Sequence, residues 1–354
     1  FYSIQRGPFH LCSRLCTCHP IENCAIVSGG FLSRTRIAEA SGAEAIEEAA
    51  GIIRRGGLVA FPTETVYGLG ADAGNALAVA RIFEVKARPR MDPVIIHVAD
   101  PDSAGTYGVF PESARRIMNR FWPGPLTLVV QKTEAVPPIV TAGLDTVAIR
   151  VPAHPAALAL VKAAGCGIAA PSANPFGYVS PTEARHVADQ LGDKIDLILD
   201  GGVCEIGVES TILSLADKTP CILRTGGTAI EELESVLGKL DRSSGITLRP
   251  QAPGQLSRHY ATRTPLVISD EDSENVKLHE RAGLLSLFPV PNPARYAAIE
   301  VLSRSGNLRE AAANLFGALR RLDGLGLDKI IARPMGEEGL GAAIMDRLRR
   351  CSVR

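Results

Sequence analysis

The stretch STILSLADKTPCILRTGG, residues 210–227, holds two apolar runs that read as strands, at 210–215 and 220–224. Only a short polar turn separates them, too short for the crossover that parallel strands need, so they read as an antiparallel pair. Working outward, helices and strands mix from about 38 to 240. SGAEAIEEAAGIIR (41–54) has helical periodicity, with Ser41 as N-cap and Glu44 three residues later. GGLVAFPT reads as a buried strand. NALAVARIFEVK (75–86) reads as a helix capped by Asn75, PVIIHV (93–98) as a strand, and PESARRIMNRFW (111–122) as a helix stopped by PGP. LTLVVQK and TVAIRVP are further strands. HPAALALVKAAG is a helix ending at Gly165, with His154 as a cap rather than a base. GIAAPSA is a strand, and PTEARHVADQLG a helix with Thr182 as N-cap and Gly192 as its stop. Crossover helices together with an antiparallel pair predict an α/β fold: a twisted mixed sheet with flanking helices.

A Ser-, Gly-, Pro- and Arg-rich linker spans 241–264. From 265 to 354, three strand-like runs, a long amphipathic helix, a fourth strand and a last helix predict a smaller, Rossmann-like α/β unit with parallel crossovers. No Gly-x-Gly-x-x-Gly turn opens it. A chain of 354 residues is long enough for two cores.

Residues 1–37 differ from the rest. They hold four cysteines spaced C-x3-C-x-C-x5-C, from Cys12 to Cys24, and several arginines against one acid, Glu22. These spacings match no paired zinc motif. The segment reads as a disordered extension with the basic, acid-poor character of a transit peptide. The remaining cysteines, Cys166, Cys204, Cys221 and Cys351, are scattered and read as reduced thiols of a cytoplasmic protein. Acids and bases balance at 38 each, which excludes nucleic-acid binding driven by bulk charge. No apolar run reaches the ~18 residues of a membrane span.

The chemistry concentrates in four places. KARPRMDPVIIHV (86–98) gathers Lys86, Arg88 and Arg90 at the mouth of a strand. Pro89 disfavours helix at Arg88, so an extended chain is expected to put Lys86 and Arg88 on one face. Two cations there suit a phosphate or carboxylate, or equally a solvated helix end. IAAPSANPFGYVSPT (168–182) sets Ser172 and Asn174 at a strand's end, where α/β folds commonly hold ligands. FPTETVYGLG (61–70) offers the hydroxyls of Thr63, Thr65 and Tyr67, and GVESTIL (207–213) those of Ser210 and Thr211, with Arg224 nearby. Turn chemistry explains each of these equally well when taken singly. No Walker A loop, Gly-x-Ser-x-Gly elbow or His-Glu-x-x-His is present.

Taken together, PTETVYGLG, K-x-R-P, WPGPLTLV, AGLDTVAIRVPAHP, APSAN, GVESTI and ILR-x-G, in this order, resemble the YrdC/Sua5 family. These are the threonylcarbamoyl-AMP synthases of transfer-RNA modification. The resemblance covers 38–240. APGQLSRHYA and GLGAAIMDRLRR extend it to the linker and extra domain of the long Sua5 form. It implies that L-threonine, bicarbonate or carbon dioxide, and ATP with magnesium give threonylcarbamoyl-AMP and pyrophosphate. A downstream transfer complex would then deliver the group to adenosine 37 of transfer RNA. It implies a catalytic set of Lys86, Arg88, Ser172 and Asn174. ATP contacts would come from Arg88, Asp92, Thr146, Ser172, Ser180, Arg224 and Tyr260, the last closing over the nucleotide with His259. L-Threonine contacts would come from Thr63, His97, Arg150, Ala170 and Ser210. No protein ligand to the metal is implied. On this reading Tyr260→Ala impairs turnover and leaves the fold intact.

Two departures from the pattern stand out. Asp92 occupies a position where the family usually has asparagine, and Arg90 or magnesium is expected to screen it. R-T-G at 224–226 replaces the usual R-P-G. Two rivals remain on the sequence. One is an RNA-binding YrdC-like module without adenylate synthesis, which a pI of about 7.2 and the lack of basic–aromatic interleaving count against. The other is a hydrogenase-maturation carbamoyltransferase, which would carry an acylphosphatase domain and paired zinc fingers.

Overall fold

A computed structural model describes residues 35–243, 250–256, 259–270 and 280–353. The expectations of disorder, zinc and a transit peptide lie outside these residues, except that Arg36 and Ile37 already belong to the first strand. The order of elements is β1 (Arg36–Glu39), α1 (Ala43–Arg54), β2 (Val59–Phe61), β3 (Gly68–Asp72), α2 (Ala76–Lys86), β4 (Ile95–His97), α3 (Pro101–Ala104), β5 (Gly108–Val109), α4 (Glu112–Phe121), β6 (Leu126–Lys132), β7 (Thr146–Arg150) and α5 (Pro155–Ala164). There follow β8 (Ile168–Ala169), α6 (Ala184–Leu191), β9 (Leu197–Asp200), β10 (Thr211–Ser214), β11 (Cys221–Arg224), α7 (Ile230–Leu237) and β12 (Asp241–Arg242). The C-terminal part adds β13 (Leu266–Ile268), β14 (Ala282–Ser286), β15 (Ala298–Val301), α8 (Leu308–Asp323), β16 (Lys329–Ala332) and α9 (Leu340–Ser352).

The first twelve strands form one sheet in the order β1-β9-β2-β3-β8-β4-β7-β6-β10-β11-β12, with β5 on β6. It is mixed, as expected. β10 and β11 are antiparallel with Ile212 opposite Arg224, whereas β4 and β7 run parallel with His97 opposite Arg150. α1 and α5 pack on one another through Ile46, Ala50, Ile53, Leu160 and Val161, and share a core with Val59, Phe61 and Leu197. A second core gathers α4 and α7 against the strands through Ile117, Leu128, Ile149, Leu213 and Leu233. The remaining strands form a four-stranded sheet in the order β13-β16-β14-β15, every pair parallel.

Several local expectations change. α1 begins at Ala43 with extended Gly42 as N-cap and no side-chain cap, so Ser41 does not cap it. Glu183, not Thr182, precedes α6. Asn75 caps α2 as expected, accepting from the Leu77 and Ala78 amides, and His154 caps α5 through the Ala156 amide. β12 carries the large sheet two residues past the boundary expected at 240, by pairing with β11. β3 had no strand signature because Gly68 and Gly70 interrupt it. Glycine is needed there: a Cβ on Gly70 would come within 2.8 Å of both Ile168 and Phe61. Cys166, Cys204, Cys221 and Cys351 are free thiols. Among the described residues, no helix is long and apolar enough to cross a membrane, and no cluster of His, Cys, Asp and Glu could hold a metal ion.

Candidate active site

Strands β3, β4, β7 and β8, the entry to β10 and the end of β11 converge on one cavity. Its lining includes Thr63, Arg88, His97, Arg150, Ala170, Ser172, Glu209, Ser210 and Arg224. Pro253 and His259 of the linker close it. Its void is about 40 Å³, well short of the ~300 Å³ of a small-molecule pocket.

Three arginines dominate the electrostatics, and each is buried and already engaged. Arg88 donates from Nε to the Asp92 carbonyl at 3.0 Å and from Nη2 to the Pro93 carbonyl at 2.8 Å. Its Nη2 also lies 2.8 Å from Asp92 Oδ2, an ion pair that excludes water at both ends. Arg150 donates to the Gly124 carbonyl and to Thr65 Oγ1, and pairs with Glu64 at 2.7 Å. Arg224 donates to the Ser210 carbonyl from both Nε and Nη2, to Ser210 Oγ, and to the Pro253 carbonyl. Burial pulls the pKa of Arg88 and Arg224 below the ordinary arginine value. Neighbouring acid groups partly offset this: the Asp92 carboxylate at Arg88, and the Tyr260 hydroxyl with Glu209 at Arg224. Both histidines of the site stay neutral near pH 7. Burial and then Arg150 push His97 down to about 3, and burial and then Arg88 push His259 well below its usual range. Each carries a buried Nδ1 with no hydrogen-bond partner.

The cavity thus collects Thr63, Arg88, His97, Arg150, Ala170, Ser172, Ser210, Arg224 and His259 from the sequence-derived set. Other members of that set sit behind it. Lys86 is the last residue of α2, and the chain then turns through left-handed Ala87 (φ 51°), so Lys86 and Arg88 do not share an extended face. The Lys86 ammonium donates to the carbonyls of Ser172 and Asn174 and is 1% exposed. It clips the Ser172–Asn174 turn in place. Asn174 ties its own loop through bonds to the Pro175 and Tyr178 carbonyls. Ser180 donates to Glu209 at 2.5 Å. Thr146 opens β7 on the same face as Arg150 but four residues away, about 13 Å along the strand. Tyr260 is fully buried at φ 65°, stacked 5.5 Å from Phe316 of α8. It backs His259 and does not itself line the cavity.

Asp92 is screened by Arg88, not by Arg90, which is exposed. The Tyr67 hydroxyl points away from the cavity to the Gly202 carbonyl. Sequence reasoning missed Glu64 and Glu209. Both stand inside quoted motifs as single acids among hydroxyl and apolar residues, and that contrast was the available signal.

The family described as "Telomere recombination" (Sua5, YciO and YrdC) matches residues 51–226, and "Threonylcarbamoyl-AMP synthase, C-terminal domain" matches 228–352. The chain is 45% identical to the threonylcarbamoyl-AMP synthase of Pyrococcus abyssi over 87% of its length and 96% of that protein. It is 44% identical to the Bacillus subtilis synthase over 87% of its length and 92% of the relative. The crystal structure of P. abyssi Sua5 complexed with L-threonine superposes with a TM-score of 0.83 at 42% identity, covering 88% of this chain and 95% of that one. With both parts matched, and in that order, the chain belongs to the Sua5/YrdC family in its long, two-part Sua5 form.

Proposed function

We propose that the chain is an L-threonylcarbamoyladenylate synthase. L-Threonine, carbon dioxide (from bicarbonate) and ATP give threonylcarbamoyl-AMP and pyrophosphate. The observation that carries this reading is three buried arginines on one small cavity beside a neutral histidine, in a chain 44–45% identical to synthases over 87% of its length.

The chemistry follows from those groups. The threonine ammonium loses one proton to solvent, its nitrogen adds to the carbon of carbon dioxide, and loss of a second proton from that nitrogen to solvent leaves the carbamate. A carbamate oxygen attacks the α-phosphorus and the bond to the leaving pyrophosphate breaks. No covalent enzyme intermediate is needed, so the protein supplies position and positive potential. Arg88 and Arg224 stand on the phosphate side. Arg150 and His97, opposite one another on β7 and β4, stand where a threonine carboxylate and amine would lie. A neutral His97 can accept from the amine without repelling it. The Lys86 clip keeps Ser172 at the cavity wall. Magnesium would arrive on the triphosphate, because the acids around the cavity are already paired: Asp92 with Arg88, Glu64 with Arg150 and Glu209 with Arg347. We assign the product to transfer-RNA threonylcarbamoylation through a downstream transfer complex, in the cytoplasm, where free thiols stay reduced.

The test is pyrophosphate release by purified protein. Release is expected only with L-threonine and bicarbonate both present. Equal release without threonine refutes the assignment. RNA binding without any nucleotide turnover would favour the RNA-binding module instead.

A further inference from the structure

Arg347 lies on α9, far along the chain from every motif of the site, and is completely buried. Its Nε donates to Glu209 Oε2 at 2.9 Å and its Nη2 to the Thr225 carbonyl at 2.9 Å. Its Nη1 donates to the neighbouring Asp346, and its guanidinium lies 5.1 Å from the centre of the Tyr260 ring. The other oxygen of Glu209 accepts from Ser180. One side chain from the C-terminal unit therefore fastens the 209–210 and 224–225 segments, which bring Glu209, Ser210 and Arg224 to the cavity.

Charge makes this more than packing. Two cations act on the buried Glu209 carboxylate, Arg347 and Arg224. With Arg347 in place, all the hydrogen bonds of Arg224 go to neutral oxygens, those of Ser210 and Pro253. Without Arg347, Glu209 is a buried carboxylate whose remaining cationic neighbour is Arg224, and an unpaired charge in that position is strongly unfavourable. Arg224 would be drawn onto Glu209 and away from the cavity.

We infer that Arg347 is a positioning residue of the active site: by pairing with Glu209 it leaves Arg224 on Ser210 and available to the phosphates. The C-terminal unit then completes the catalytic pocket as well as anchoring the linker. This rests on the reading of the cavity as an ATP site.

The experiment compares Arg347→Met, Arg347→Lys and the pair Arg347→Met/Glu209→Gln by calorimetric titration with magnesium–ATP and by the split of KM(ATP) from kcat, with folding checked by circular dichroism. Arg347→Met should weaken ATP binding about tenfold, in line with couplings between contacting residues. Arg347→Lys keeps the charge and should stay within about threefold. Removing the Glu209 charge in the Met background should restore affinity, which a packing role could not do. A folded Met variant with native ATP affinity overturns the inference, as does failure of Glu209→Gln to rescue it. If Arg347→Met does not fold, Arg347→Gln and Arg347→Gln/Glu209→Gln take its place, with the same loss and the same rescue expected; native ATP affinity in a folded Arg347→Gln, or no rescue in the pair, overturns the inference. Native protein that binds no ATP refutes the synthase reading, and this inference with it.

Discussion

Asp92→Asn tests the pocket where this chain departs from its family. The Asp92 and Arg88 side chains are 0% and 2% exposed and meet at 2.8 Å. At an effective dielectric of about 20, unit charges at that separation attract by about 6 kcal/mol. Asparagine removes this and leaves Arg88 with two carbonyl partners, so the variant should lose about 3 kcal/mol of stability. That corresponds to a fall of roughly 6 °C in Tm for a protein of this size. ATP affinity should move the other way. Asp92 cancels much of the field that Arg88 offers a triphosphate, and restoring about a quarter of 6 kcal/mol is worth roughly a tenfold gain in affinity. The assay pairs calorimetric titration with magnesium–ATP and a thermal unfolding scan on the same preparation. Weaker ATP binding by a folded variant would refute the reasoning, because it would make the Asp92 carboxylate a contact to nucleotide or metal. An unchanged Tm would refute the energetics assigned to the ion pair.

Two further outcomes are expected. Between pH 6.5 and about 4 the unfolded chain binds protons that the folded chain refuses at His97 and His259, whose folded pKa values are depressed. Stability should therefore fall as pH drops through that window, by about 1.4 kcal/mol per pH unit for each histidine. Urea unfolding at pH 7, 6 and 5 measures it; His97→Gln should lower the slope, and a flat profile refutes the assignment. At Tyr260 the hydroxyl is buried without a partner while the ring packs on Phe316 and Arg347. Tyr260→Phe should unfold at the native temperature or above, whereas Tyr260→Ala should lose about 3–5 kcal/mol. Both variants are expected to fold, Tyr260→Ala with the lower unfolding temperature; equal unfolding temperatures for the two would refute the packing role assigned to the ring.

Much of the fold was legible because its signals are local. The Asn75 and His154 caps, the apolar run before His97 and the short turn between β10 and β11 each depend on a few neighbouring residues. β3 was not legible: its glycines answer to Phe61 and Ile168 across the sheet, and propensity reads them as loop. The site divides similarly. Thr63, Arg88, His97, Arg150, Ser172, Ser210 and Arg224 meet at one cavity although they span more than 160 residues of chain. Their family order marked them; no spacing did. What stayed hidden was pairing. Lys86 looked like a free cation until its carbonyl partners were seen. Arg88, Arg150 and Arg347 take Asp92, Glu64 and Glu209 as counter-charges, and the last two pairs are separated by 86 and 138 residues. A net charge of zero conceals such pairs entirely.

The apolar cluster shared by the two parts bears on how the chain is made. Val66, Val179 and Val208 of the large-sheet part are buried together with Tyr260, Leu315, Phe316 and Ile344. Gly207 sits so close to α8 that a Cβ there would lie 2.4 Å from the Ala313 backbone. On a ribosome moving at ~5–20 residues per second, the ~125 residues between the end of the first family region and the end of α9 take roughly 6–25 s. For that interval the nascent catalytic half presents its valines to solvent with nothing to cover them, and Glu209 waits for Arg347. Synthesis therefore passes through a stage in which the pocket's strands are complete and the pocket is not, and this stage is the chain's window for chaperone capture or misassembly.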